Sequence, residues 1–357
     1  MCSRHHRHSI FCILPPYLLR DILANGSKAQ KAAASRALGI DTTFRSMRAR
    51  LAVVQSVPAR RSRKLALPPS RQRSVTTAGN SETLPGTLVR AEGQGPSGDV
   101  AVDEAYDALG HTFDFFLEAY RRNSIDDDGL PLDATVHYGE DYNNAFWNGR
   151  RMVFGDGDGD LFNRFTASLD VIGHELGHGV TEDEAGLVYM QQPGALNESL
   201  SDVWGSLVKQ WVLKQTAEEA DWIIGAGLFT AKVQGVGLRS MKAPGTAYDD
   251  PVLGKDRQPG HMDDYVDTMQ DNGGVHINSG IPNRAFYLAA VAIGGNAWEK
   301  GGRIWYDALR DARVTETTKF ADFAAVTVDV AGRLPGMKKA EVKAVAEAWR
   351  QVGIPTG

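Results

Sequence analysis

Residues 174–178 read His-Glu-Leu-Gly-His, inside an apolar-periodic stretch that predicts a helix over 168–181. At four-residue spacing the two imidazoles leave one helical face about one turn apart, so both can reach a single tetrahedral metal ion. Glu175 then lies beside the metal without binding it, where a base for an attacking water has to stand. Two surface histidines can produce the same pattern by chance, so a third ligand decides the matter. A helix predicted over 195–214 supplies Glu198, twenty residues after His178. Asp202 lies four residues further on, so one face can send Glu198 to the metal and Asp202 to the outer ring nitrogen of His174. Asn197 can orient His178 in the same way. Three protein ligands leave the open fourth position of a catalytic zinc site. A longer three-histidine motif is excluded, because Thr181 and Glu184 stand where it needs Gly and His.

The 357 residues, 42% of them hydrophobic, are enough for a large core in two lobes. From Asp99 on, Val102, Tyr106, Leu109, Phe113, Phe116, Leu117 and Tyr120 recur at helical spacing. Short strands are predicted near 135–138 and 151–154, and further helices over 218–230, 279–294, 297–310, 320–332 and 339–351. The expected class is α+β, a sheet-containing lobe over 99–190 followed by a mainly helical lobe over 191–357, with the histidine helix between them. Gly155–Asp160 reads as a tight acidic turn, since it lacks the downstream glutamate of a calcium-binding loop.

The first 75 residues carry 15 Lys and Arg against only Asp21 and Asp41, whereas the remainder has a net charge of −18. Such opposed halves attract across an internal interface. Nucleic acid is not an expected partner, because no aromatic residues interleave with the basic ones. Residues 1–55 read as a separate basic segment with helical character over 17–50, and 56–98 as an exposed linker rich in Pro, Arg, Ser and Gly. No signal peptide is recognised, the apolar run over 9–14 being stopped by Pro15-Pro16, and no stretch has the length of a membrane span. Synthesis in the cytoplasm, with export by a non-classical route, is the expectation, and a monomer is expected.

Together, HELGH at 174–178, NESLSD at 197–202, NAFW at 144–147 and GGVHINSG at 273–280 resemble the thermolysin-like metallopeptidases over about residues 99–357. Pro15-Pro16-Tyr17 resembles the motif of the short prosegment in the protealysin-like subgroup. The resemblance implies a two-lobe zincin fold and a zinc-dependent neutral endopeptidase acting on protein or peptide substrates, with Glu175 as general base. It implies that His276 and Tyr189 donate to the oxyanion, that Asp271 orients His276, and that Asn144 and Ala145 form the edge to which substrate adds. Arg239 would grip the carbonyl after the scissile bond. Phe162, Phe165, Val171, Ile224, Leu228 and Leu238 would line an apolar pocket favouring a bulky hydrophobic residue after the cleaved bond. One zinc ion is the implied cofactor. The family's double calcium site is expected to be absent, because Asp170 and Asp221 remain while Lys209, Ile223 and Ala226 replace the rest; a further calcium position is Val236 here.

The same resemblance makes residues 1–55 an intramolecular inhibitor, with Cys12, Pro15, Pro16 and Tyr17 in the cleft and a maturation cut between about 60 and 80 in the linker. Cys12 has two readings, a thiolate on the open zinc position or, more weightily, a buried packed side chain. The rivals to a protease are a noncatalytic zinc-stabilised binding scaffold and a hydrolase of small amides.

Overall fold

The computed structural model describes residues 11–54 and 69–356, for 11 and 44–54 the backbone alone. Six strands form one mixed sheet: β1 (Phe11–Cys12), β2 (Arg73–Thr77), β3 (Thr87–Ala91), β4 (Leu132–Val136), β5 (Ala145–Trp147) and β6 (Arg151–Phe154), in the order β1-β5-β6-β4-β2-β3. The β2/β4 and β4/β6 pairs are parallel, and β1 joins β5 antiparallel. Two helices precede β2, α1 (Pro16–Asn25) and α2 (Lys28–Val54), and α3 (Val100–Tyr120) packs against β2 and β4. Helices α4 (Leu169–Glu184) and α5 (Gln191–Leu213) follow the sheet. The C-terminal lobe adds α6 (Asp271–Asn278), α7 (Gly280–Ile293), α8 (Gly301–Leu309), α9 (Phe320–Arg333) and α10 (Lys339–Gln351).

Most predicted helices appear with ends moved by a few residues, α8 starting four residues later than expected because Asn296 to Lys300 form a turn. Two expectations fail. The helix over 218–230 is instead a short strand, Ile223–Ile224, paired with Arg239–Ser240. Trp222, Gly225 and Gly227 have φ of 56°, 74° and 86°, which an α-helix cannot contain. The linker over 56–98 is the second correction. Its residues 55–68 lie outside the described part, but 73–77 and 87–91 are strands β2 and β3 of the main sheet, so the catalytic lobe begins well before Asp99. Hydrophobic periodicity misses β2 because polar side chains, Arg73 and Thr76, fill two of its three buried positions. Thr76 Oγ1 bonds Thr135 Oγ1 at 2.9 Å and the Ala134 carbonyl at 3.1 Å, and Arg73 is paired with Glu92.

Glycine lets α4 and α5 approach closely. A Cβ on Gly205 would stand 2.2 Å from the Asp170 carbonyl, and one on Gly173 would stand 3.0 Å from the Gly205 Cα. This close pair carries HELGH on one helix and NESLSD on the other.

A charged clasp ties the start of α3 to the acidic turn after β6. His137 Nε2 lies 2.9 Å from Asp99 Oδ2, and His137 Nδ1 lies 2.8 Å from Asp156 Oδ2. Asp99 also caps α3, its Oδ1 accepting the N–H groups of Ala101 and Val102. Only the imidazolium donates from both ring nitrogens. Its pKa is raised to about 9, first by the Asp156 hydrogen bond, with burial opposing and Asp99 adding. The folded state thus binds this proton more tightly than the unfolded chain, whose histidine titrates near ~6.5. The clasp contributes fully below that pH and is lost as pH rises through about 9. Thermal melts of the protein and of His137→Gln across pH 6 to 10 should therefore differ most at the acid end and converge at the alkaline end; a constant gap would rule the clasp out.

Candidate active site

The two histidines of α4 and the carboxylates of α5 meet in the buried seam between those helices. His174 Nδ1 is 2.7 Å from Asp202 Oδ1; His178 Nδ1 is 2.7 Å from Asn197 Oδ1 and 2.9 Å from Ser201 Oγ. With both Nδ1 atoms facing oxygen acceptors, the two Nε2 lone pairs turn inward and face each other at 3.0 Å. Glu198 closes the triangle, its Oε2 3.4 Å from His174 Nε2 and its Oε1 3.5 Å from His178 Nε2. Ligand atoms of His174, His178 and Glu198 all lie within 4.8 Å of one another. Two facing lone pairs and a carboxylate, all buried, repel one another unless a cation sits between them, so this donor set fits a zinc ion. Glu198 Oε2 has no hydrogen-bond partner among the described residues, as a metal-facing oxygen requires.

Asp202 binds more than one group. Besides His174 it takes Arg239 bidentately, Nε to Oδ2 at 2.9 Å and Nη2 to Oδ1 at 2.8 Å, and Asn283 Nδ2 at 2.8 Å. Burial raises its pKa, but Arg239 and His174 outweigh that and hold it at about 2. The carboxylate is thus charged at neutral pH and can orient His174.

Glu175 is fully buried. Its Oε2 accepts the Trp147 N–H at 3.1 Å, and its Oε1 has no hydrogen-bond partner among the described residues. Burial pushes this carboxyl well above its ordinary range, with His174 opposing and Glu198 adding. A carboxylate so raised accepts a proton more readily than a solvated one.

His276 sits opposite. Asp271, Asn272, Gly273 and Gly274 all have positive φ, folding the start of α6 back so that Asp271 accepts both the His276 N–H (2.9 Å) and Nδ1 (2.7 Å). His276 Nε2 then points at Tyr189 OH, 3.3 Å away, and Tyr189 OH donates to Glu198 Oε1.

The N-terminal segment runs through this space. Ile13 N–H donates to the Ala145 carbonyl (3.2 Å) and Leu14 N–H to Asn144 Oδ1 (3.1 Å). Arg239 Nη1 donates to the Ile13 carbonyl (3.2 Å), and the Cys12 carbonyl lies 3.2 Å from His276 Nε2. The Cys12 thiol is buried and directed to Asp41 Oδ1 at 3.8 Å. Pro15 caps α1, and Pro16 and Tyr17 in its first turn are buried. Phe162, Phe165, Val171, Ile224, Leu228 and Leu238 are all buried, Phe162 and Phe165 with ring centroids 5.8 Å apart.

The description "Thermolysin metallopeptidase, catalytic domain" matches residues 63–182, and "Thermolysin metallopeptidase, alpha-helical domain" matches 185–354. The chain belongs to the thermolysin metallopeptidase family. It is 54% identical over 346 residues to an extracellular metalloprotease of Pectobacterium carotovorum, covering 97% of this chain and 96% of that protein. It is 49% identical to protease PrtS of a Photorhabdus strain, covering 96% and 91%. The solved precursor of protealysin, a metalloproteinase of Serratia proteamaculans, superposes with a TM-score of 0.87 at 55% identity, covering 96% of this chain and 99% of that one. This thermolysin-like, protealysin-like chain is a metalloendopeptidase, its family implies zinc, and the scaffold reading is not favoured.

Four contributors escaped the sequence reading. The Trp147 N–H is a backbone group with no signature. Ser201 and Asn283 are ordinary helical polar residues whose partners lie 23 and 81 positions away. Asp41 had a signal, as one of two acids in a basic segment; its Oδ2 accepts from Asn144 Nδ2 at 2.8 Å and its Oδ1 from Tyr142 OH at 2.9 Å. Asp202→Ala should weaken zinc binding about 10- to 100-fold, measured by competition with a chromophoric chelator; unchanged affinity would remove Asp202 as the group orienting His174.

Proposed function

We propose that the protein is a zinc endopeptidase made as a self-inhibited precursor, and that it cuts before bulky hydrophobic residues. The observation that carries this reading is the path of residues 11–14. They add antiparallel to β5, with the Ile13 carbonyl on Arg239 and the Cys12 carbonyl at His276, as an extended substrate would. The Cys12–Ile13 bond is therefore the one presented to the reactive groups. Ile13, which follows it, is fully buried, in keeping with an apolar pocket after the cleaved bond.

Held by His174, His178 and Glu198, zinc would polarise a water molecule and the scissile carbonyl. Glu175 accepts the water's proton at Oε1 and returns it to the leaving amine, its other oxygen held by Trp147. His276 Nε2 and Tyr189 OH approach the position of the Cys12 carbonyl oxygen, so both can donate to the negative charge that develops there. Arg239 fixes the next carbonyl and, through Asp202, shares a rigid partner with His174. Asn144 and Ala145 bind the backbone on the far side.

Latency follows from the same contacts, since a segment tied to Arg239, Asn144 and β5 excludes substrate. Release then needs a cut in the part of the expected window, about 60–80, that precedes β2, because β2 itself is paired on both edges. The names of the relatives as extracellular metalloproteases support export from the cell. Glu175→Gln should keep zinc and fold while lowering casein hydrolysis by at least about 1000-fold, with the precursor remaining uncut by mass; retained hydrolysis would remove Glu175 from the mechanism.

The same reading leaves the double calcium site absent. Lys209 Nζ lies 2.7 Å from Asp170 Oδ2, 2.9 Å from Asp221 Oδ1 and 2.7 Å from the Ile223 carbonyl, an ammonium among oxygens that would otherwise face a cation. Burial lowers its pKa, but Asp170 and then Asp221 prevail and keep it charged. Added calcium should leave the melting temperature unchanged, and Lys209→Met should destabilise the fold by about 3–5 kcal/mol by stranding Asp170. A calcium-dependent rise in the melting temperature that Asp221→Asn abolishes would defeat this reading.

A further inference from the structure

The first 75 residues contain only two carboxylates, and both are used against the catalytic part of the chain. Asp41 meets Asn144 and Tyr142. Asp21 follows Tyr17 by four residues on α1, so the two share a helical face, and both close on Arg257. Arg257 Nη2 lies 2.8 and 2.6 Å from the two Asp21 oxygens, and Arg257 Cζ lies 4.7 Å from the centre of the Tyr17 ring. Gly254, at φ +73°, leaves room for this carboxylate: a Cβ there would stand 3.2 Å from Asp21 Oδ2. The pairing runs against the charge pattern of the chain, in which a basic N-terminal segment faces an acidic body, as Arg36 faces Asp141.

Among the described residues, Asp21 is the one carboxylate within ion-pair distance of Arg257. Asp256, its neighbour in sequence, is turned inward and accepts the N–H groups of Gly245, Ala247 and Gln258. Loss of the N-terminal segment therefore removes both the carboxylate partner and the aromatic cover of Arg257. Already 42% exposed with these partners in place, the guanidinium is then left open on the carboxy-terminal side of the cleaved bond, beside a glycine that admits an acidic group.

We propose that Arg257 is a specificity-determining residue, forming with Gly254 a cationic subsite that takes an acidic side chain downstream of the cleaved bond in polypeptide substrates. In the latent chain Asp21 fills it. This rests on the reading of residues 11–14 as a bound substrate. In that register Asp21 is the ninth residue after the presented bond, but α1 rises only about 1.5 Å per residue, so an extended substrate covers the same span in fewer residues, about five to seven. An aromatic residue shortly before the acid would reproduce the stacking of Tyr17 on the guanidinium.

The test uses full-length protein after the chain has been cut in the linker before β2, with zinc present. Two quenched peptides share an Ile after the cleaved bond and differ only in Asp or Lys about five to seven residues further on. A third peptide ends before that position. The Asp-to-Lys ratio of kcat/KM is independent of the fraction of protein still inhibited. It should be about three- to ten-fold in the parent, the size of a partly exposed ion pair and its reversal. It should fall toward one in Arg257→Ala and in high salt, and invert in Arg257→Glu. A ratio of one in the parent, or a preference that survives Arg257→Ala, overturns the subsite while leaving the endopeptidase reading intact. Failure of every form to cut even the short peptide overturns that reading, and the subsite with it.

Discussion

Everything at the reactive centre depends on how closely α4 approaches α5. Gly173 and Gly205 bring the two backbones to a distance that no side chain at Gly205 would allow. At that distance Glu198 and Asp202 reach opposite ends of His174: one faces the inward nitrogen and the other holds the outward one. A wider crossing would leave buried histidines and carboxylates without partners, each costing several kcal/mol. Small residues here therefore set the metal geometry as directly as the ligands do.

Asp202 extends this arrangement to Arg239. It takes His174, Arg239 and an asparagine from α7 on two oxygens. The three donors balance the cost of burying the charge, and they lock Arg239 against the same atom that orients His174. On the proposed reading, positioning of the carbonyl after the cleaved bond and positioning of the metal are thus parts of one rigid network.

On the proposed reading, the N-terminal segment meets the same surfaces as a substrate. Its strand completes the sheet edge at β5, its carbonyls take Arg239 and His276, and Asp41 binds the amide of Asn144. Backbone pairing provides attachment that any sequence could make, whereas the buried Asp41 and the Asp21–Arg257 pair belong to this sequence. Charge opposition between the two parts adds a general attraction, which the specific contacts convert into one register.

The linear sequence determined the candidate metal ligands His174, His178 and Glu198 because ligand spacing on a helix is a local property. His174, His178 and Glu175 follow from a 3.6-residue period, and Glu198 with Asp202 from the same period on the next helix. The helical lobe was legible for the same reason. Strand β2 was not, since Thr76 and Arg73 are buried through hydrogen bonds and ion pairs that hydropathy does not register, and nor was β3, whose apolar Leu88 and Val89 are exposed while Arg90 is buried. Nor was the break at 222–227, where left-handed backbone overrides an apolar pattern. Contacts such as the Trp147 N–H on Glu175, Asn283 on Asp202, Lys209 between its oxygens and Asp21 on Arg257 join residues 12 to 236 positions apart. Only the tertiary fold decides those, because chain separation carries no record of which surfaces are brought together.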